Sequence, residues 1–227
     1  MLGTEGLLPF AVTAAIVAAA SLPLFWLRNE SIGDSGDRQT NLLRIFKIVP
    51  YIFLLIVAYA AAVEAYIAFF PLFGIHIGLG EARSLSLLTM FAVGGIVLQL
   101  PLGWLADHMN RHKLLLLCLV MTIAGFLTLS LVVSHTVGGP MFAFALGGVE
   151  GMIYTLGMIL LGQRFRGAEL AAASVLYTGM WGAGTMLGPA IVGAGIDVFG
   201  DTSMPYLIAV IYVIYMPVYF FRRRNVA

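Results

Sequence analysis

Seven apolar runs of bilayer-spanning length succeed one another along this chain: residues 6–27, 48–73, 84–106, 114–134, 137–162, 170–196 and 202–221. Roughly 20 apolar residues cross the hydrocarbon layer as a helix. Inside lipid the backbone must satisfy its own hydrogen bonds, which leaves helices or a closed barrel. A barrel strand takes only about ten residues of alternating character, whereas these runs are longer and apolar on every face. The expected fold class is therefore all-α, a polytopic membrane protein with seven transmembrane helices. Charged residues make up 10% of the chain, against roughly 25% in soluble domains. The mean hydropathy of +0.99 agrees.

The basic residues set an orientation. If the loop 28–47 is cytoplasmic and sides alternate from there, every one of the 12 Lys and Arg residues except Arg83 lies inside. That asymmetry predicts the N-terminus outside and the C-terminus in the cytoplasm, as in a bacterial inner membrane. The first run has Glu5 before it, lacks a basic leader and is too long for a signal core, so it reads as a span. Residues 29–41, rich in Ser, Gly, Asp and Arg, read as a flexible linker. Residues 42–47 follow as a short amphipathic helix on the cytoplasmic face. Cys118 is the single cysteine, which excludes an intrachain disulfide and suits an apolar filler.

Between the third and fourth runs lies one short polar turn, the end of the stretch 101–113. It carries Gly103, Leu105, Ala106, Asp107, Arg111 and Lys113. The sequence Gly184-Thr-Met-Leu-Gly188-Pro189, followed by Gly193 and Gly195, stands in the sixth run. Glycines four apart share a helix face and let another backbone approach, and Pro189 removes one hydrogen bond and bends the helix. Both stretches resemble signatures of the major facilitator superfamily. In the turn, Asn110 replaces a usual second glycine, a residue type that also tolerates left-handed backbone, and His108 replaces a usual arginine.

The resemblance implies a fold and a division of the chain. The last six runs form two triplets, 48–134 and 137–221, each with an acidic residue in its first helix. They would be inverted three-helix repeats making up half of such a transporter. Residues 1–28 would then be the last helix of the amino-terminal half, 29–47 the central cytoplasmic linker, and 48–227 the six-helix carboxy-terminal half. A missing amino-terminal half, or a second chain, would complete the transporter. The resemblance also assigns the turn a role as a conformational latch, with Asp107, Arg111 and Lys113 pairing with nearby helix ends and charges. Glu169, on the same face at the start of the sixth helix, is a candidate partner.

Only Glu64 and Glu150 place charge inside the runs. Glu150 lies near mid-membrane, where holding an ionised side chain costs roughly 2.5–3.5 kcal/mol on insertion scales. It is the first candidate for proton exchange with a cavity. Glu64 sits nearer the outer surface. Gln99, Tyr154, Tyr177 and Trp181 carry polar tips into lipid-length runs and each needs a partner there. Tyr154 follows Glu150 by four residues and shares its face. Trp26, Tyr51, Tyr206 and Tyr219 near run ends read as interfacial anchors. His76 and His135 read as solvated loop residues, and Asp197 as a helix-end residue.

Hydrolase, metalloprotease, P-loop and paired-cysteine motifs are absent from the sequence, so no enzyme activity, metal or cofactor is expected. The basic residues form a topological belt, which argues against nucleic-acid binding. Arg222, Arg223 and Arg224 beside the last run fit orientation or anionic lipid. The leading expectation is part of a secondary transporter moving a small organic solute by alternating access, with proton-coupled efflux as the finer version. A self-contained seven-helix receptor or sensor is the alternative.

Overall fold

A computed structural model describes residues 41–224 continuously, with side chains to Phe221, together with the helical positions Val12, Ala14, Ala15, Ile16, Ala18 and Ala19. The rest of the run 6–27, with Trp26, Arg28, Arg38 and most of the linker, thus lies outside the described residues. Two compact units are present, residues 1–39 and 40–227. The second carries everything that follows.

Its helices are α1 (Leu42–Ile48), α2 (Pro50–His76), α3 (Glu81–Val97), α4 (Gln99–His108), α5 (Arg111–Val132), α6 (Gly138–Arg164), α7 (Gly167–Phe199) and α8 (Met204–Arg224). A short 3-10 turn, Asp201–Ser203, leads into α8. Among the described residues, six stretches are long and apolar enough to cross a membrane, with α3 and α4 counting as one. The fold class expected from the apolar runs is thereby observed over the described residues: an all-α, polytopic membrane protein.

Local chemistry explains where the helices stop. Pro101 has no N–H to offer Val97, and the run 84–106 divides there at Leu98 into α3 and α4. Asn110 does not adopt left-handed backbone. Its φ of −63° and ψ of 113° are extended, and its side chain accepts from the N–H groups of His112 (3.1 Å) and Lys113 (3.2 Å). It is the N-cap of α5, a role that needs a short side-chain acceptor and not a glycine. Asn41 caps α1 in the same way through Leu43 and Arg44. At the far end of α7, Gly200 takes a φ of 89°, which L side chains rarely adopt.

The packing is crosswise. The most extensive pairings join α2 to α7 and α3 to α6; α2 with α8 and α5 with α6 come next. Exchanging α2 with α6, α3 with α7 and α5 with α8 leaves this pattern unchanged. Both major crossings are made by glycine against backbone. A Cβ on Gly184 would lie 2.6 Å from the carbonyl oxygen of Val57, and one on Gly188 would strike that of Ala61. Across α3 and α6, a Cβ on Gly94 would strike the carbonyl of Phe144, and one on Gly147 that of Phe91. The glycines are what allow the helices to touch at main-chain distance.

Two residues expected at the lipid interface are instead in the core. Tyr51 and Tyr219 are buried, and their rings meet edge to face at 6.3 Å. Tyr206 is exposed, as an interfacial residue should be.

Candidate functional site

The site grows from a row of tyrosines on α8. Tyr212, Tyr215 and Tyr219 stand at i, i+3 and i+7, so they share one face. Each hydroxyl donates to a different helix: Tyr212 to Glu150 Oε2 of α6 at 2.7 Å, Tyr215 to the Tyr51 carbonyl of α2 at 2.9 Å, and Tyr219 to the His112 carbonyl of α5 at 3.0 Å. The uppermost of these bonds positions the acid.

Glu150 is 1% exposed, and no other acidic or basic residue is buried among the described residues. Its Oε2 takes the short bond from Tyr212, while Oε1 has no hydrogen-bond partner among them. The carboxyl lies within electrostatic reach of Tyr59, Tyr66, Cys118 and Tyr212. Tyr66 is fully buried and its hydroxyl also lacks a partner. Buried polar atoms are normally hydrogen-bonded, and two without a partner among the described residues belong to Glu150 and to a tyrosine within its electrostatic reach.

A cavity of about 490 Å³ adjoins the acid between α2, α3, the start of α4 and α6. Gln99 and Glu150 both line it, joined by Tyr59 and Thr89 among mainly apolar neighbours. Its size falls in the range of roughly 300–1,000 Å³ typical of small-molecule sites. The α3–α6 glycine crossing forms one wall through Gly95, Gly147 and Gly151.

The remaining sequence candidates fall around this centre. Tyr154 packs its ring against Tyr59 (5.9 Å) and Tyr177 (5.7 Å), and Tyr177 donates its hydroxyl to the Tyr154 carbonyl at 3.1 Å. Glu64 is half-buried and within electrostatic reach of Tyr59. Trp181 is 39% exposed and does not line the cavity. Gly184, Gly188 and Pro189 belong to the α2–α7 crossing.

At the turn, Arg111 pairs with Asp107 at 3.6 Å within its own neighbourhood, and Glu169 is exposed and pairs with neither Arg111 nor Lys113. The expected link from the turn to α7 is therefore replaced by a link across the turn itself. Gly103 has open space around it. At the other end of the bundle, His76 is not merely solvated: its ring bridges the Leu72 carbonyl (2.9 Å) and Asp201 (3.0 Å).

Tyr59 and Tyr212 escaped the sequence reading. Their signal was available in part, since the i, i+3, i+7 spacing of the α8 tyrosines marks a single face.

The described residues thus form a bundle of membrane helices with crosswise-paired triplets, holding a buried acid beside a small-molecule-sized cavity. The family model described as Major Facilitator Superfamily matches residues 82–227. The chain belongs to the major facilitator superfamily. It is 28% identical over 209 residues to a Bacillus subtilis (strain 168) protein named as the uncharacterized MFS-type transporter YfkF, covering 88% of this chain. That alignment spans 53% of the relative, so the chain represents about half its length. No solved structure matches. The family match favours the transporter expectation over the seven-helix receptor.

Proposed function

We propose that this chain forms the carboxy-terminal part of a proton-coupled secondary transporter that exports a small organic solute across the bacterial inner membrane. Membership of the superfamily supports membrane transport of a small molecule. The finer reading rests on one observation: a membrane-buried carboxyl with one oxygen held by Tyr212 and the other unpartnered beside a cavity. A group in that state can take up and release a proton without dismantling its own support, because Tyr212 keeps it in place while Oε1 exchanges. Tyr59 and Gln99 line that cavity, Tyr154 and Tyr177 stack behind Tyr59, and Glu64 lies further out along α2. The Asp107–Arg111 turn serves as a conformational latch whose exposed carboxylate reaches toward an amino-terminal half or a second chain.

The test is Glu150→Gln in the full-length protein reconstituted in vesicles. Glutamine keeps the shape and still accepts from Tyr212, but it cannot lose a proton. Uphill accumulation driven by a pH gradient should vanish, while solute exchange, which needs no net proton movement, should continue. Persistent uphill transport in that variant makes Glu150 a packing residue and removes the proton-coupling reading.

A further inference from the structure

We propose that the groove between α2, α7 and α8 is a lipid site: it holds an acyl chain of an anionic phospholipid whose phosphate rests against the basic residues of α1. The site stands apart from Glu150 and its cavity.

The groove follows from how three helices pack. α7 and α8 each lie along α2, and they meet one another far less. A cleft of about 280 Å³ remains between them. Ala58 and Ala61 of α2 floor it, with Leu187 and Ile191 of α7 and Ile211 and Ile214 of α8 along its sides. The alanines are buried while Leu187, Ile191 and Ile214 are exposed, so the cleft opens sideways out of the bundle. It runs lengthwise, since Leu54 and Ala61 both line it, about 10 Å apart along α2 at the helical rise. A helix, about 10–12 Å across with its side chains, is too thick for a space of that volume. A single hydrocarbon chain fits it.

The lining specifies hydrocarbon. Its one polar side-chain atom is the Tyr215 hydroxyl, which already donates to the Tyr51 carbonyl at 2.9 Å. A polar solute would lose its water here and find no partner, whereas each buried methylene adds to binding. Charge then selects the end and the headgroup. At the α1 end, Arg44 and Lys47 are exposed on a helix packed against α7. Arg222, Arg223 and Arg224 follow Val218 in α8. One acid, Glu169, stands at the start of α7, and Arg164 and Arg166 precede it. At the opposite end of the same helices stand Asp197 and Asp201, the latter paired with His76. A phosphate is attracted to the first end and repelled from the second. Leu43 is exposed beside Arg44, which gives α1 the mixed apolar and basic surface of a helix lying at a bilayer surface.

Photocrosslinking of the full-length protein provides the test. Ile214 is replaced by p-benzoylphenylalanine, and the protein is irradiated in vesicles of equal parts phosphatidylglycerol and phosphatidylethanolamine. Mass spectrometry of the adducts should show phospholipid, with phosphatidylglycerol in about fivefold excess for one basic contact. The same photoreactive residue at Leu131, exposed on α5 outside the groove, should capture the two lipids equally. Arg44→Gln together with Lys47→Gln should lower the Ile214 ratio toward equality while leaving the amount of adduct. Ala58→Phe fills the floor and should cut the amount; the ratio without that substitution decides the matter even if this variant folds poorly. Equal capture of both lipids at Ile214 means ordinary boundary lipid and overturns the proposal. So does an adduct with residues 6–27, with an amino-terminal half or with a second copy, each of which would then be the occupant. Enrichment unchanged by the two glutamines also overturns it, because the phosphate then rests elsewhere.

Discussion

One hydroxyl separates an anchored carboxyl from a loose one. Tyr212 is fully buried and its bond to Glu150 is a short O–H to oxygen contact of 2.7 Å. Replacing Tyr212 with Phe removes the donor and leaves both oxygens of a buried acid without a partner, a loss expected to cost about 1–3 kcal/mol. Tyr219→Phe removes a bond to a neutral carbonyl and should cost less, about 0.5–1.5 kcal/mol. Denaturant unfolding of both variants in mixed micelles checks the order; equal losses would mean that the acid gains nothing from Tyr212. The sequence already exposed Glu150, because a charge inside an apolar run stands out. It did not expose Tyr212 or Tyr59, because a tyrosine in a membrane helix fits interface and core alike, and only tertiary contact separates the two. For the same reason Tyr51 and Tyr219, near run ends, were legible as tyrosines that need a polar neighbour but not as buried ones.

The helices themselves were legible because lipid leaves the backbone so few choices. Six of the apolar runs fall on observed helices, and the ends shift by only a few residues where caps intervene. What apolarity cannot encode is which helix meets which. The Gly184–Gly188 pair was readable as a close-packing face, whereas its counterpart at Gly94 and Gly147 was not, since those glycines lie in different helices and have no shared spacing. The structure makes the two crossings equivalent in kind. Gly188→Ala and Gly94→Ala each drive a methyl into a facing main-chain carbonyl, which cannot move as a side-chain tip can. Each should reduce folded protein severely, by several kcal/mol within the range of overpacking and backbone displacement. Gly162→Ala, with no atom within 4 Å of the added methyl, should be neutral or slightly stabilising by helix propensity, up to about 1 kcal/mol. Thermal unfolding yields compared across the three variants test this, and tolerance of Gly188→Ala would show the α2–α7 crossing to be looser than drawn.

Across the whole molecule, the distribution of basic residues leaves Arg83 as the exception, and the structure gives it an occupation. Its guanidinium donates to the Ser134 carbonyl at 2.9 Å, just past the end of α5. A cation at the C-terminal end of a helix is favoured by the helix dipole, so a basic residue on the less basic side does not weaken the orientation argument. Labelling with a membrane-impermeant maleimide tests that orientation. Ser134→Cys should react in intact cells and His108→Cys only after permeabilisation. The native thiol stays silent because Cys118 is buried. The opposite pattern would invert the bundle and place the Asp107 turn outside.

The tyrosine row on α8 has a bearing on how such a bundle can move. Its three hydroxyls engage α6, α2 and α5 at fixed heights along one helix. Sliding α8 by a single turn, about 5.4 Å, would misalign all three bonds at once, and no shorter slip offers the tyrosines new acceptors in register. The helix is thus indexed to its neighbours like a key with three teeth. Motion within the group is all or nothing: α2, α5, α6 and α8 must travel together, and the glycine crossings carry α3 and α7 with them.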